Sequence, residues 1–172
     1  MASQQKRAER LVSVAILTRN SGKILHRLLD GVSNQETDAS IETVALDSGS
    51  TDGTVELLES RGARVINIRP EDFDFGRSRD LLYQHARGEY VVNLSQDAVP
   101  AHAKWLENLL APLADPEVAV SCGAAIPDPE RAEAQFPWER NGYFYFTREM
   151  RKFTGAYGRG VSFANSAVRR TV

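Results

Sequence analysis

The sequence contains little cysteine, no excess of charge of either sign and no long apolar run. Cys122 is the single cysteine among 172 residues, so an intramolecular disulfide and a cysteine-based zinc cluster are both excluded. The formal net charge of −2 argues against a strongly basic protein that binds nucleic acid. No apolar stretch reaches the ~20 residues of a membrane-spanning helix, so we expect no transmembrane segment and no nucleic-acid partner.

Within these limits the composition is that of an ordinary globular protein. Hydrophobic residues make up 42% and charged residues 26% of the chain, and the length is sufficient for one domain with a buried core. Residues 1–10 are polar and basic and are followed by no apolar segment longer than a strand, so we interpret them as a disordered leader. We therefore expect one domain over residues 11–172 and a cytoplasmic location.

Short apolar runs alternate with amphipathic segments through the first two thirds of the chain. Strands are predicted at 11–17, 41–46, 65–68, 90–94 and 118–122, and helices at 24–32, from Ser50 or Thr51 to Gly62, 77–87 and 100–113. This alternation predicts a Rossmann-like α/β fold, with a mostly parallel sheet and helices on both faces. The proline-rich residues 126–135 are predicted to form a loop.

Two of the predicted strands end close to an aspartate. The apolar run 44–46 stops at Asp47, and the fourth strand is followed by Gln96 and Asp97. If strands two and four lie on either side of strand one, these residues meet the segment Thr18 to Asn20 in one crevice at the topological switch point. Carboxylates there can accept hydrogen bonds from a base or hold a divalent cation beside a diphosphate. The pattern therefore indicates a nucleotide site.

Four blocks of the sequence resemble one family of enzymes. Residues 46–54, which read LDSGSTDGT, are similar to the nucleotide-binding signature of family-2 glycosyltransferases with the GT-A fold. Residues 75–80, 94–98 and 163–170 resemble blocks of the rhamnosyltransferase-like branch. The resemblance implies inverting, metal-dependent transfer from a nucleoside-diphosphate sugar, such as a dTDP-linked deoxysugar, to a glycan or polysaccharide precursor.

The resemblance also implies the roles of individual residues. Nucleotide binding is implied for Thr18, Asn20, Asp47, Ser48, Arg79, Asp80 and Gln96, and metal binding for Asp97. Thr18 and Asn20 would line the nucleoside pocket, and Asp47 would contact the base. Arg79 and Asp80 would lie near the base and the diphosphate. Asp97 matches the last acid of the family's Asp-x-Asp motif, whose first acid is replaced here by Ser95, and it would hold Mg²⁺ or Mn²⁺ together with diphosphate oxygens and water.

Two departures from the family pattern bear on activity. Ser48 replaces the second acid of the usual Asp-Asp pair. In relatives, the general base that deprotonates the acceptor hydroxyl lies beyond the block that matches residues 163–170, and this sequence stops at Val172. We therefore expect a donor-binding domain truncated before the catalytic base and lacking the acceptor part, and the catalytic residue remains unknown. Substitutes by residue type alone are Asp128, Glu130, Glu133, Glu139 and Glu149.

Other interpretations of the same residues remain open. The donor site would also serve a non-catalytic nucleotide or nucleotide-sugar binding module. Asp47 and Asp97 can each be a helix cap or turn residue, and Arg79 and Asp80 can be an exposed pair on a helix. An NAD-type Rossmann protein would need a glycine fingerprint after strand one, which the segment Thr18 to Gly22 lacks.

The aromatic and basic residues 143–153 offer a further hypothesis about the acceptor. Such a stretch can contact a membrane surface and so reach a lipid-linked acceptor at the inner face of the cell membrane. The same composition also suits a packed element with a solvated face. We therefore expect peripheral membrane contact, with a packed surface element as the alternative interpretation.

Overall fold

The computed structural model describes residues 10–124 and 163–170. Its strands are β1 Leu11–Thr18, β2 Ser40–Asp47, β3 Arg64–Asn67, β4 Tyr90–Ser95, β5 Val120–Cys122 and β6 Asn165–Arg169, and its α-helices are α1 Ile24–Ser33, α2 Thr54–Ser60, α3 Phe75–His85 and α4 Trp105–Leu110. Short 3₁₀ turns occupy Pro70–Asp72 and Ala111–Ala114. Residues 1–9, the expected loop at 126–135, the stretch 143–153 and the acids named as substitutes lie outside the described residues.

The strands form one sheet in the order β3-β2-β1-β4-β6-β5. Strands β1 to β4 run parallel, whereas β6 is antiparallel to both β4 and β5. The predicted fold class is therefore confirmed, and β1 lies between β2 and β4, which is the arrangement on which the expected crevice depends. The sequence analysis missed β6, because a short segment with few apolar residues becomes a strand here by pairing with β4.

Helices cover both faces of the sheet and bury two apolar clusters. On one face, α1, α2 and α4 pack against β1 and β4 through residues such as Leu28, Leu58 and Leu106, all 0% exposed. On the other face, Leu82 of α3 and Ala86, which follows the helix, belong to a smaller cluster. A cavity at the carboxyl ends of the strands opens on the α3 face.

The first turn of α2 lies further along the chain than predicted. The helix begins at Thr54 and not at Ser50 or Thr51, because the backbone N–H of Ser50 already donates to the carboxylate of Asp47. Asp52 accepts hydrogen bonds from the backbone N–H and the hydroxyl of Thr54, at 3.1 and 2.6 Å. The intervening residues therefore form a loop at the carboxyl end of β2.

Helix α4 is also shorter than the predicted helix from Pro100 to Leu113. It begins at Trp105, because Gln35 and Glu36 of the α1–β2 loop donate hydrogen bonds to the carbonyls of His102 and Ala103. The side chain of Gln35 also accepts a hydrogen bond from the backbone N–H of Leu106, at 2.9 Å. A tertiary contact thus decides where this helix starts.

Other element boundaries differ from the prediction by a few residues. Helix α3 starts at Phe75 because the carboxylate of Asp74 caps it, accepting from the backbone N–H groups of Gly76 and Arg77. Strand β3 lies one residue earlier than predicted, and β5 is restricted to Val120–Cys122. Within the described part of the chain, no helix has both the length and the apolar composition to cross a bilayer.

A carboxylate joins three strands at the end of the sheet opposite the cavity. Glu42 of β2 accepts hydrogen bonds from the hydroxyl of Ser13, the backbone N–H of Arg87 and Nη2 of Arg64, at 2.5, 2.6 and 2.9 Å. The hydroxyl of Ser13 in turn accepts from the backbone N–H of Gly88, at 2.8 Å. A Cβ on Gly88 would lie 2.5 Å from the backbone nitrogen of Ser13, so only glycine fits this turn.

The network around Glu42 makes the stability of the fold depend on pH. Burial favours the neutral acid, but the hydrogen bonds from Ser13 and Arg87 and the charges of Arg64 and Arg87 together lower the pKa of Glu42 below its ordinary value of 4.5. The stabilisation is therefore fully present above the ordinary value and is lost as the pH falls through the lowered pKa of the folded state.

We expect Glu42→Gln to lower the free energy of unfolding at pH 7 by about 2 kcal/mol, because it removes charge-assisted hydrogen bonds. Urea denaturation of both proteins at several pH values measures the difference, which should shrink below pH 4.5 as the wild-type carboxylate is protonated. Glu59→Gln, which changes an exposed carboxylate on α2, serves as the control and should be neutral. A difference that stays constant down to acidic pH would contradict this role.

Candidate functional site

A cavity of about 330 Å³ opens at the carboxyl ends of β1 and β4, between the sheet and α3. Its inner surface is mainly apolar and includes Ala15, Leu17 and Leu82, while its outer part carries the side chains of Arg79 and Asp97. This is the topological switch point of the sheet, where open α/β folds bind their ligands. The crevice expected from the sequence is therefore present.

The cavity brings together some of the sequence-predicted site residues and leaves others outside. Its lining includes Thr18, Ser48, Arg79, Gln96 and Asp97. These residues come from β1, α3 and the loops that follow β2 and β4. The other three predicted nucleotide-binding residues, Asn20, Asp47 and Asp80, are not part of the lining.

Asp47 uses its carboxylate to organise its own loop. The side chain is 1% exposed and accepts hydrogen bonds from the hydroxyl of Thr18, the backbone N–H groups of Gly49 and Ser50, and the hydroxyl of Ser50, at distances between 2.5 and 3.0 Å. A carboxylate offers about four acceptor positions, so its capacity is filled by the protein. Gly49, with φ +86°, supplies the left-handed turn that wraps the loop around it.

Asn20 joins the loop after β1 to the loop after β2. Its backbone adopts φ 48°, its N–H donates to the hydroxyl of Ser50 at 2.8 Å, and its side-chain oxygen accepts from the backbone N–H of Thr51 at 2.9 Å. Asp80, by contrast, is exposed on α3. Neither side chain reaches the cavity, and their predicted roles in nucleotide binding stay predictions.

Ser48 follows Asp47 in this loop and lines the cavity. The residue is 2% exposed, and its backbone N–H donates to the carbonyl of Thr18 at 3.0 Å. Its hydroxyl lies 3.3 Å from the same carbonyl oxygen. This contact continues the pairing of β1 with β2 for one more residue, and it holds Ser48 and Thr18 side by side at the cavity wall.

Gln96 continues the pairing of β1 and β4 with its side chain. Backbone pairing between these strands ends at Leu17 and Ser95. Beyond it, the side-chain oxygen of Gln96 accepts from the backbone N–H of Arg19 and the hydroxyl of Ser21, both at 2.8 Å, and the amide nitrogen donates to the carbonyl of Arg19 at 3.3 Å. Gln96 therefore ties the loop after β1 to the segment that carries Asp97.

Asp97 is an exposed carboxylate at the edge of the cavity. It does not cap a helix, because α4 begins only at Trp105. Among residues 10–124 and 163–170, no group of three or more His, Cys, Asp or Glu residues could hold a metal ion. A cation at Asp97 would therefore need oxygens from a bound ligand and water, which is how Mg²⁺ usually binds beside phosphates.

Asn93, in the cavity lining, forms a polar pair with Tyr83. The side-chain amide of Asn93, 3% exposed, donates to the phenol oxygen of Tyr83 at 2.8 Å and lies 3.4 Å from the hydroxyl of Ser166. Burial raises the pKa of Tyr83 above its ordinary value of 10.0, so the phenol is neutral at physiological pH. The pair connects α3 to β4 and β6 beneath the cavity.

The cavity also contains residues to which the sequence analysis assigned no role. Arg19, Phe73, Phe75 and Phe163 all belong to its lining. Phe75 and Phe163 lie in blocks that resemble the transferase family, but an aromatic residue in such a block is as readily a core residue. Only the structure shows that these two rings are exposed, at 64% and 42%.

Comparison with known proteins identifies the family. Residues 13–172 match the model of glycosyl transferase family 2. The chain belongs to glycosyl transferase family 2. It is 30% identical over 118 residues to the O-antigen chain rhamnosyltransferase RfbN of Salmonella typhimurium, and 31% identical over 94 residues to the O-antigen chain rhamnosyltransferase WbaN of Salmonella anatum. These matches cover 67% and 54% of this chain but only 37% and 30% of the two relatives.

Solved structures of glycosyltransferases share the fold of this family-2 chain. The mannosyltransferase PcManGT of Pyrobaculum calidifontis, in complex with GDP-Man and Mn²⁺, is 26% identical with a TM-score of 0.58, over 68% of this chain and 36% of that protein. Glucosyl-3-phosphoglycerate synthase of Mycobacterium tuberculosis has a TM-score of 0.61 at 19% identity, over 94% of this chain and 57% of that protein. The expected GT-A fold is thereby confirmed.

We expect Asp47→Ala to lower the free energy of unfolding by about 2–3 kcal/mol, because it leaves the buried hydroxyl of Thr18 and the part-buried donors of Gly49 and Ser50 without their acceptor. Urea denaturation without nucleotide measures this loss. Asp97→Ala is the matched control, since it removes an exposed carboxylate at the same edge of the sheet and should change stability by less than about 0.5 kcal/mol. Equal effects of the two substitutions would argue against the organising role of Asp47.

Proposed function

We propose that this chain carries the donor site of an inverting glycosyltransferase, which transfers a sugar from a nucleoside-diphosphate sugar to a glycan or polysaccharide precursor. The observation that carries this proposal is the convergence of Thr18, Ser48, Arg79, Gln96 and Asp97, from separate crossover units, on one cavity at the switch point. Membership of family 2 supports the same reaction class.

The charges around the cavity suit a diphosphate. Arg19 and Arg79 supply two permanent positive charges, and Asp97 supplies a carboxylate at the edge. A guanidinium can donate two parallel hydrogen bonds to phosphate oxygens, and the loop after β1 is held in place by Gln96. Positioning of the donor and neutralisation of its departing diphosphate are the contributions that we assign to these residues.

A divalent cation fits Asp97 as one of its ligands. When bound with the diphosphate, Mg²⁺ or Mn²⁺ would neutralise charge on the leaving group. Because Asp97 is a single carboxylate, we expect weak affinity for the cation alone and stronger affinity when a nucleoside diphosphate supplies further oxygens. The presence of Mn²⁺ with GDP-Man in PcManGT supports this assignment.

The nucleoside end of the donor would meet Thr18 and Ser48 at the cavity wall. Asp47 lies directly behind them, and its hydrogen bonds to Thr18 and Ser50 hold this wall in shape. A direct contact between Asp47 and the base would require it to release one of these bonds. We therefore propose that Asp47 acts on the nucleoside mainly by positioning Thr18 and Ser48.

The relatives support a more specific donor and acceptor. Two of them are named O-antigen chain rhamnosyltransferases, so we propose a dTDP-linked deoxysugar such as rhamnose as donor and an envelope glycan precursor as acceptor. A lipid-linked acceptor would place the reaction at the cytoplasmic face of the membrane. The chain spans about a third of these relatives' length, and no described residue is assigned as the catalytic base.

We expect Asp97→Asn to abolish the Mn²⁺-dependent part of nucleoside-diphosphate binding while leaving the fold unchanged, since the residue is exposed. Calorimetric titration of dTDP, UDP and GDP, each with and without Mn²⁺, measures the effect. Asp38→Asn serves as the control, because it alters an exposed carboxylate before β2, at the opposite end of the sheet. Mn²⁺-dependent affinity that survives Asp97→Asn would remove the metal assignment.

A turnover assay separates the transferase from a non-catalytic binding module. The transferase proposal predicts that dTDP-rhamnose, or another sugar nucleotide that binds, is consumed when an acceptor glycan is supplied, with inversion at the anomeric carbon. Chromatography of the released nucleoside diphosphate measures turnover, and NMR of the glycan product gives the configuration of the anomeric carbon. Tight binding of sugar nucleotides without any turnover would favour a non-catalytic binding module or fragment.

A further inference from the structure

We propose that Phe75 and Phe163 form an aromatic clamp that positions the guanidinium of Arg79 for the donor, with Phe163 as a positioning residue supplied from the far end of the described chain. This inference rests on the proposed function, because the donor is the nucleoside-diphosphate sugar assigned above. It adds a structural reason why two large rings stay exposed beside the cavity.

The three side chains form a stack at the cavity. The Cζ atom of Arg79 lies 4.9 Å from the ring centroid of Phe163 and 5.4 Å from that of Phe75, within the range of a cation–π interaction. Its Nη1 atom also donates to the carbonyl of Phe75 at 3.2 Å. Phe73 packs edge-to-face against Phe75, with 5.0 Å between ring centroids, which steadies the outer ring.

The rings hold Arg79 without neutralising it. In the described part of the chain no carboxylate forms an ion pair with this guanidinium, in contrast to Arg61, Arg64 and Arg69, which pair with acids. Aromatic faces attract a cation but leave most of its N–H groups available for hydrogen bonds. A restrained arginine that still has donors to offer loses less side-chain freedom on binding a phosphate than a mobile one does.

The clamp depends on the sheet, because its two rings come from distant parts of the sequence. Phe75 is four residues from Arg79 on the same helix, and so lies on the same helical face. Phe163 precedes β6, which the sheet sets beside β4 through the pairing of Asn165 with Leu94 and the hydrogen bond from Ser95 to Ala164 at 2.9 Å. Phe163 can therefore contact Arg79 only when β6 has joined the sheet.

Exposure is otherwise unfavourable for residues of this size. Phe75 and Phe163 are the large hydrophobic residues that stand out as exposed in the ranges 10–124 and 163–170, at 64% and 42%. Both belong to the same cavity lining, and both face the same guanidinium. This coincidence favours a role for the rings at the site over a role in the core.

The experiment compares two substitutions of Phe163 that differ in the aromatic ring. Phe163→Leu keeps an apolar side chain but removes the ring, and Phe163→Tyr keeps the ring. With whichever of dTDP, UDP or GDP binds the wild type most tightly in the presence of Mn²⁺, we expect calorimetry to show a dissociation constant about 3- to 10-fold higher for Phe163→Leu and within about 2-fold for Phe163→Tyr. Similar affinities for the wild type and Phe163→Leu would overturn the proposal.

A double-mutant cycle tests whether Phe163 acts through Arg79. In an Arg79→Gln background, which lacks the cation, Phe163→Leu should have no further effect on the dissociation constant. If Phe163→Leu weakened binding equally with and without Arg79, its role would be general packing and the clamp would be wrong. Thermal denaturation of each variant accompanies the cycle, and similar melting temperatures are expected because neither Phe163 nor Arg79 belongs to the buried core.

A measurement without ligand separates failure of the clamp from failure of the proposed function. In the NMR spectrum of the free protein, the Nε–Hε signal of Arg79 should be shifted by the ring currents of its neighbours, and Phe163→Leu should move it toward the position of a free arginine. The corresponding signal of Arg61, which follows α2 on the opposite face of the sheet from α3 and pairs with Asp30, is the control. An unshifted Arg79 signal would overturn the clamp, whereas a shifted signal in a protein that binds no nucleotide would overturn the proposed function.

Discussion

Parallel pairing of β1 with both β2 and β4 is the constraint on which the site depends. Because the chain leaves β1 in one direction to form β2 and later returns to its other side to form β4, the loops after these strands diverge and leave a crevice. Thr18 is paired with Asp47 on one side, and Leu17 with Ser95 on the other. The cavity, its polar rim and the position of α3 all follow from that arrangement.

Polar side chains around the crevice serve mainly to hold its loops. Asp47 and Gln96 look like ligand contacts in the sequence, yet each spends its hydrogen-bonding groups on neighbouring loops. A buried carboxylate without partners would be costly, and the hydrogen bonds of Asp47 and Gln96 hold the loops that form the cavity wall. Such preorganisation reduces the ordering that binding must supply.

Arginine residues have different surroundings at the two ends of the sheet. At the amino ends of the strands, Glu42 is surrounded by donors and by Arg64 and Arg87, which stabilises the fold. At the carboxyl ends, Arg79 is held by aromatic rings and keeps its charge available. Neutralised charge suits stability, whereas charge that remains accessible suits recognition of an anionic donor.

The sequence by itself determined the α/β class and the family, because apolar periodicity and short contiguous blocks record local structure. It indicated that Asp97 and Thr18 would meet, since parallel strands end at the same edge. It did not reveal β6, the start of α4 at Trp105, or the approach of Phe163 to Arg79. Those features depend on contacts between residues far apart in the chain. Local sequence patterns do not indicate such contacts, so only the tertiary structure decided these features.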